Sequence, residues 1–432
     1  MPRAKLKGPD SEVKRRWRIP PPLLRDAESP GPEGLSILSE IRSELGGVLW
    51  KTLRSVLLWS QVAPSERKDL FDAEAGRRRL LEVMSAVPDE AGDLKDAMEV
   101  LAEVVVSPER ADSEAVGVAC RRVSGWAEAA DAPRTSLEFL QAAALCCPAN
   151  ARFALAIGRT TRDLAQYARA ESWLHRAIGL ARQSRDWETY VRAYLGHGKM
   201  MLRRGALPAA RRSYAKALRR SVRQGLREME ALALQDLFIL EDKAGQSEKS
   251  LAYARRALEA FGPQHEGLPH LAHDIAVFWM QRGDFEHAFP VLRETVDRVK
   301  DSCRGIALGS IARAAGHMSD TDAFDWAQAE LDRWWDGPGI ADAWAEVARG
   351  AMALGRLDQA RAAALRAETM ARRRGESLVR FEAEALLESI QAEQAALAQR
   401  SQSGAVAPAT DDADELAREL LRSLQEGQPA GA

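Results

Sequence analysis

The chain has 432 residues, 46% of them hydrophobic, enough to bury a large core or a long continuous one. Its 61 basic and 63 acidic residues give a formal charge of −2. Bulk electrostatics therefore favours neither nucleic acid nor a membrane as partner, and any charge-driven function must come from local segregation. Four cysteines, two of them the adjacent Cys146 and Cys147, show no metal-ligand spacing and exclude a disulfide framework. They read as small buried hydrophobes in a reducing, cytoplasmic compartment.

Residues 1–34 carry Arg3, Lys5, Lys7, Lys14, Arg15, Arg16 and Arg18, followed by Pro20, Pro21 and Pro22. No apolar stretch stands behind these charges, so they predict a disordered basic, proline-rich tail and not a secretory signal. A sharper alternative is a short docking segment anchored by Trp17 and Ile19. From Ser36 to Ser60, Ile37, Ile41, Leu45, Leu49, Leu53 and Val56 recur at helical spacing and predict one amphipathic helix. Lys51 and Arg54 interrupt its apolar run, and a membrane span needs about 20 predominantly apolar residues. A core helix is the reading favoured over a surface-lying membrane helix, since Gly46 and Gly47 loosen the segment. Ser65 is placed to cap a helix running through Leu70, Phe71, Leu80, Leu81 and Val83 and ending before Pro88. Another helix is expected over 91–106. Together, residues 35–110 are expected to form an N-terminal helical bundle or cap.

From about 111 onward the chain repeats. Ala170 and Ala177 are answered 40 residues later by Ala210 and Ala217, and again 40 residues later by Ser250 and Ala257. Turn glycines recur as Gly205, Gly245, Gly283 and Gly355, each five residues before the first small residue of its unit. Small residues at such intervals let paired helices approach closely, and one such pair cannot bury its apolar face alone. The first hairpin is expected to pair 113–129 with 134–147. The stretch 302–335 fits poorly and lacks the glycine turn. A long helix over 377–400 would cover the end of the stack.

These recurring residues resemble a tetratricopeptide repeat (TPR) array of the long-hairpin bacterial type. The resemblance implies an all-α fold, a right-handed solenoid of about six to seven stacked hairpins over 111–400. It also implies that the first helix of each hairpin lines a concave groove for a protein or peptide. The groove would then receive Arg152, Arg159 and Arg162 from one unit and Arg192, Lys199 and Arg203 from the next. Gln235 follows, and then His270 and His273. Asp163 is the one carboxylate that shares the two basic rows, so the groove is expected to select an acidic segment. The blander alternative is that these cations only keep alanine-rich helices soluble.

Of the seven histidines, only His270 and His273 cluster, one helical turn apart. No third metal ligand accompanies them, and they read as groove or surface side chains. No phosphate-cradling loop or nucleophile elbow is present, so no enzyme, cofactor or metal is expected. Residues 401–432 read as a flexible tail whose 411–426 segment forms a short acidic amphipathic helix, either docked or frayed. The reading is a cytoplasmic bacterial scaffold or adaptor that binds an acidic protein segment, with neither membrane nor nucleic acid as partner. The alternative is a ligand- or peptide-sensing module of a regulator with the N-terminal helices as output.

Overall fold

The structure, a computed structural model, describes residues 34–68, 70–87, 92–164, 166–262, 264–299, 301–333, 339–374 and 377–403. The basic N-terminal tail with Trp17 and Ile19, and the acidic segment 411–426, lie outside the described residues. Among the described residues there is no strand. The N-terminal helices are α1 (Leu35–Glu40), α2 (Glu44–Gln61), α3 (Ala73–Ala86) and α4 (Gly92–Val106). Hairpins follow as α5 (Ser113–Ala129) with α6 (Pro133–Cys146), α7 (Ala151–Asp163) with α8 (Tyr167–Ser184), and α9 (Trp187–Arg203) with α10 (Leu207–Gln224). Then come α11 (Arg227–Lys243) with α12 (Ser247–Phe261), and α13 (Leu268–Met280) with α14 (Phe285–Thr295). The last are α15 (Asp301–His317) with α16 (Thr321–Asp332), α17 (Ile340–Ala353) with α18 (Leu357–Arg374), and the long α19 (Ser377–Ser403). The chain divides into two compact units that meet at Leu268 and Pro269.

In the first unit, two expectations for the N-terminal helices are corrected. The single helix over 36–60 is broken at Ile41–Ser43, giving α1 and α2. Gly46 lies against the Ile41 carbonyl so closely that a Cβ there would sit 1.9 Å from the oxygen. Ser65 does not cap a helix: Pro64–Glu66 is one 3₁₀ turn, and α3 starts only at Ala73. The Arg67 guanidinium instead folds back 3.8 Å over the Trp59 ring, and its Nε donates to the Val62 carbonyl at 3.1 Å. As the pattern implies, α2 is a core helix, with Leu49, Leu53, Val56 and Trp59 fully buried. No described helix is long and apolar enough to cross a membrane.

The boundary expected at residue 110 falls inside the first unit. Glu40, at the end of α1, reaches the N-terminus of α6, where its carboxylate accepts from the Arg134 amide at 3.0 Å and the Thr135 amide at 2.7 Å. The first-turn amides of a helix have no intrahelical partner, and this distant carboxylate satisfies two of them. The buried Trp59 indole donates to the Pro108 carbonyl at 2.8 Å, fixing α2 to the end of α4. The N-terminal helices are thereby built onto the first hairpin.

The repeat is present as read. Ala143, Ala170, Ala177, Ala210, Ala217, Ser250, Ala257, Ala288 and Ala367 are all fully buried. Where a hairpin closes still further, glycine is required: a Cβ on Gly158 would meet Leu174 at 2.8 Å, and one on Gly198 would meet the Tyr214 ring at 2.3 Å. Gly205, Gly245, Gly283 and Gly355 all take left-handed conformations, φ between 71° and 79°. Two hairpins without a turn glycine put Asp131 (φ 52°) and Ser319 (φ 59°) in the same conformation. The 302–335 stretch therefore does form a hairpin. In the second unit its α15 also packs directly on α17, where a Cβ on Gly316 would lie 2.2 Å from the Gly350 carbonyl oxygen.

Candidate functional site

The structure places Arg152, Arg159 and Arg162 on α7, Arg192, Lys199 and Arg203 on α9, and Gln235 on α11. The side chain of Arg203 is outside the described residues. His270 and His273 belong to α13, in the second unit. There the His273 ring lies 3.2 Å from Ser310 Oγ through Nε2 and 3.8 Å from Asp274 Oδ1 through Nδ1.

The expectation that the basic row is uncompensated is corrected. Arg152 Nε lies 3.4 Å from Asp186 Oδ2. The Arg162 guanidinium, nearly buried, grips Asp163 with two hydrogen bonds of 2.9 and 3.0 Å. Arg192 donates to Glu188 at 2.9 Å and to Glu228 at 3.1 Å, and Lys199 lies 3.4 Å from the buried Asp236. Apart from Asp163, these carboxylates come from the turn before α9, from its first turn, and from α11. A tally of the basic row alone could not include them. Arg159 has no ion pair among the described residues; burial, then the Arg162 charge, holds its guanidinium below its ordinary pKa.

Uncompensated charge is found on the opposite side of α9. At about 100° per residue, Tyr190, Tyr194 and His197 share one face, and Arg192 and Lys199 the other. The aromatic face looks into a cavity of about 580 Å³ whose cationic lining is Arg182 from α8 and Lys216, Arg219, Arg220 and Arg223 from α10. No carboxylate lines it, and none is ion-paired with any of these five cations among the described residues.

The local sequence explains why the cations gather there. The segment Leu207–Gln224 contains six basic residues and no acidic one. Its buried stripe is Ala210, Ser213, Tyr214, Ala217 and Ser221, so the charged side chains can only emerge on the flanks. Among the described residues, Arg211 alone is neutralised, by a two-pronged contact to the buried Glu241 at 2.7 and 2.8 Å. Lys216 and Arg220 rest on aromatic rings instead. Arg220 stands 4.2 Å over Trp187 and 5.5 Å over Tyr190, and Lys216 lies 5.3 Å from the Tyr194 ring. The rings support one another edge-to-face, Trp187 to Tyr190 at 5.8 Å and Tyr190 to Tyr194 at 4.9 Å. Burial, then a hydrogen bond with Tyr190, pushes the Tyr194 phenol well above its usual pKa, so it remains a neutral group. The sequence carried a signal for this site, the acid-free basic helix at 207–224, but the groove assignment drew attention to the other helix of each hairpin.

The thiols of Cys120 and Cys146 give nucleophilic chemistry no support. Burial, then the neighbouring Cys147, pushes the Cys146 thiol up to about 12, and Cys120 is fully buried with its thiol also raised. Both stay protonated and weakly reactive.

Taken together, the hairpins define a TPR-like helical-repeat fold. No family model and no curated protein matches the chain. Among solved structures, it is similar to a Rap protein complexed with competence and sporulation factor, at 9% identity and a TM-score of 0.45, over 82% of this chain and 98% of that one. It is also similar to a STAND protein with a tetratricopeptide repeat sensor from Pyrococcus horikoshii, at 13% identity and a TM-score of 0.45, over 81% and 55%. A third similarity is to an IFIT1 monomeric mutant with Gppp-AAAA, at 13% identity and a TM-score of 0.41, over 74% and 72%. All three TM-scores fall below 0.5, and none of these likenesses decides a function.

Proposed function

We propose that the chain is an interaction scaffold that captures an acidic segment of a protein partner in the cation-lined seam between α8, α9 and α10. The observation that carries this reading is the set of five cations around one cavity with no carboxylate among its lining residues. Four of them are arginines, whose planar forks match carboxylates in pairs. Clustered like charge raises the local potential and speeds the arrival of an anionic partner. The aromatic rings favour a peptide over single-stranded nucleic acid. Trp187 and Tyr190 are already covered by Arg220, and Tyr194 is buried, so no open platform is left for base stacking. The row Arg152, Arg159, Arg162, Arg192 and Lys199 would then be a secondary surface at most, since its charge is largely spent on its own carboxylates. In the regulator reading, the N-terminal helices would act as a separable output. The Glu40 and Trp59 contacts argue instead for a cap on the first hairpin.

The test is fluorescence anisotropy with a labelled Asp/Glu-rich peptide at low and high salt. Arg182→Glu combined with Arg219→Glu and Arg223→Glu is expected to weaken binding by at least about tenfold. All three side chains are exposed, so the fold should survive. Arg192→Glu combined with Lys199→Glu is expected to change affinity by less than about threefold. The reverse ranking would return the site to the groove row. Preference for a single-stranded RNA of equal charge over the peptide would overturn the choice of partner class.

A further inference from the structure

The face of α9 that carries Tyr190 and Tyr194 continues to His197, and there the chemistry changes. On α8, Glu171 and His175 are four residues apart and project from one side of the helix. His197 meets them from α9, its ring stacked on that of His175 with centroids 5.1 Å apart and planes 24° from parallel. One donor atom from each of Glu171, His175 and His197 lies within 4.8 Å of the other two.

We propose that Glu171, His175 and His197 form a binding site for a divalent first-row transition ion, of which Zn²⁺ is the natural probe. Two imidazoles and one carboxylate are a donor set such ions accept, and three protein ligands leave a fourth position open. Tetrahedral donors about 2.0–2.1 Å from the metal lie about 3.4 Å apart, so short side-chain rotations close the set.

The hydrogen bonds behind His197 hold it in the state a metal requires. Ser213, buried beneath the ring, donates its hydroxyl proton to the Ala209 carbonyl at 3.2 Å. Its Oγ is therefore left to accept, and it lies 2.9 Å from His197 Nδ1. In that arrangement the proton is on Nδ1, and the Nε2 lone pair is free for the metal. A hydrogen-bond acceptor behind a ligating histidine fixes tautomer and ring orientation in this way. Two cations oppose the ion. Arg204 lies 3.6 Å from Glu171 and would be displaced by it, and the Lys216 charge acts on His197. This site is expected from neither the spacing of single histidines nor any motif, because its donors come from two helices.

Calorimetric titration of the full chain with Zn²⁺ tests the proposal independently of the peptide assay. The expected result is one saturable site, weakened at least about tenfold by His175→Ala, His197→Ala or Glu171→Gln. Ser213→Ala should weaken it by about tenfold through the lost support of the ring. Arg204→Ala should tighten it, a gain that general destabilisation cannot mimic. Cys146→Ser with Cys147→Ser should leave it unchanged, separating the site from thiol binding. If either histidine variant folds poorly by circular dichroism, Glu171→Gln and Arg204→Ala decide, because both side chains are solvent-accessible. Absence of saturable binding, binding that survives loss of Glu171, or binding abolished by the double cysteine change would overturn the proposal.

Discussion

The two faces of α9 are bordered by cations of the same kind and have opposite electrostatic outcomes. On one face, Arg192 and Lys199 reach Glu188, Glu228 and Asp236, and the neighbouring α7 adds Arg162 with its own Asp163. On the other face, Lys216, Arg219, Arg220 and Arg223 meet tyrosines, a tryptophan and open space. The difference lies in which helix comes next. The first face borders α11, which supplies Glu228 and Asp236. The second borders α10, which has no acid to supply. A row of positive charge on one helix is therefore not a binding site until the facing helix is known.

The largest way to break the comparison is to break the hairpin that holds both faces. Gly198 has the Tyr214 ring where a Cβ would stand, and Tyr214 is fully buried. Gly198→Val should force the ring out and cost about 2–3 kcal/mol or more, read as a lowered midpoint in urea denaturation. An unchanged midpoint would mean that α9 and α10 do not pack through these residues.

A smaller effect sharpens the second face. Arg220→Ala removes the guanidinium over Trp187 and Tyr190 and should cost about 0.5–1 kcal/mol of stability. It should also weaken acidic-peptide binding by about threefold at low salt, with the loss shrinking at high salt. Equal loss at both salt concentrations would mean that Arg220 acts through packing and not charge.

Asp186 tests the end from which both faces start. It caps α9, accepting from the Thr189 amide at 3.0 Å and the Thr189 hydroxyl at 2.8 Å. Burial pushes its carboxyl up, but the Thr189 hydrogen bonds, followed by Arg152, pull it lower still, below its ordinary 3.8. A carboxyl depressed in the folded state stabilises above its unfolded pKa and loses that stabilisation as pH falls through the folded value. Asp186→Ala should cost about 1 kcal/mol at neutral pH. The difference from wild type should shrink below about pH 3.8, as seen by comparing acid titrations of the two proteins. A constant difference down to pH 2 would show that the cap works without its charge.

Much of the fold was legible because packing distance leaves its own trace. Ala170, Ala210 and Ala288 must be small wherever two helices touch, and that necessity repeats with the hairpin. The 302–335 hairpin was obscured because Ser319 takes the left-handed turn that glycine takes elsewhere, at a conformational cost the sequence does not display. The break at Ile41–Ser43 was hidden for a related reason. Its cause is the contact of Gly46 with the Ile41 backbone, and periodicity records side chains only. The functional reading was least legible, since ion pairing is decided across helices by residues 30 to 36 positions apart. Arg192 with Glu228 and Arg211 with Glu241 are pairs of that kind. The same limit hid Glu171, His175 and His197, which no single helix presents together.

The smallest effect is the most direct test of the comparison itself. If the first face is silent because its charge is spent, removing the spending partners should awaken it. Glu228→Gln with Asp236→Asn would release one contact of Arg192 and the contact of Lys199 without adding a cation. Arg192 and Glu228 are both about a third or more exposed, so that pair contributes about 0–1 kcal/mol, and Asn in place of the buried Asp236 keeps its shape without its charge, so the fold should tolerate the change. The double variant, made in the background where Arg182, Arg219 and Arg223 are reversed, should regain acidic-peptide binding by about two- to threefold at low salt and by nothing at high salt. That background matters, because seam binding would otherwise mask so small a gain. If no gain appears although both variants fold equally well, neutralisation is not what separates the two faces. The shape of the cavity beside α10 would then have to account for the preference alone.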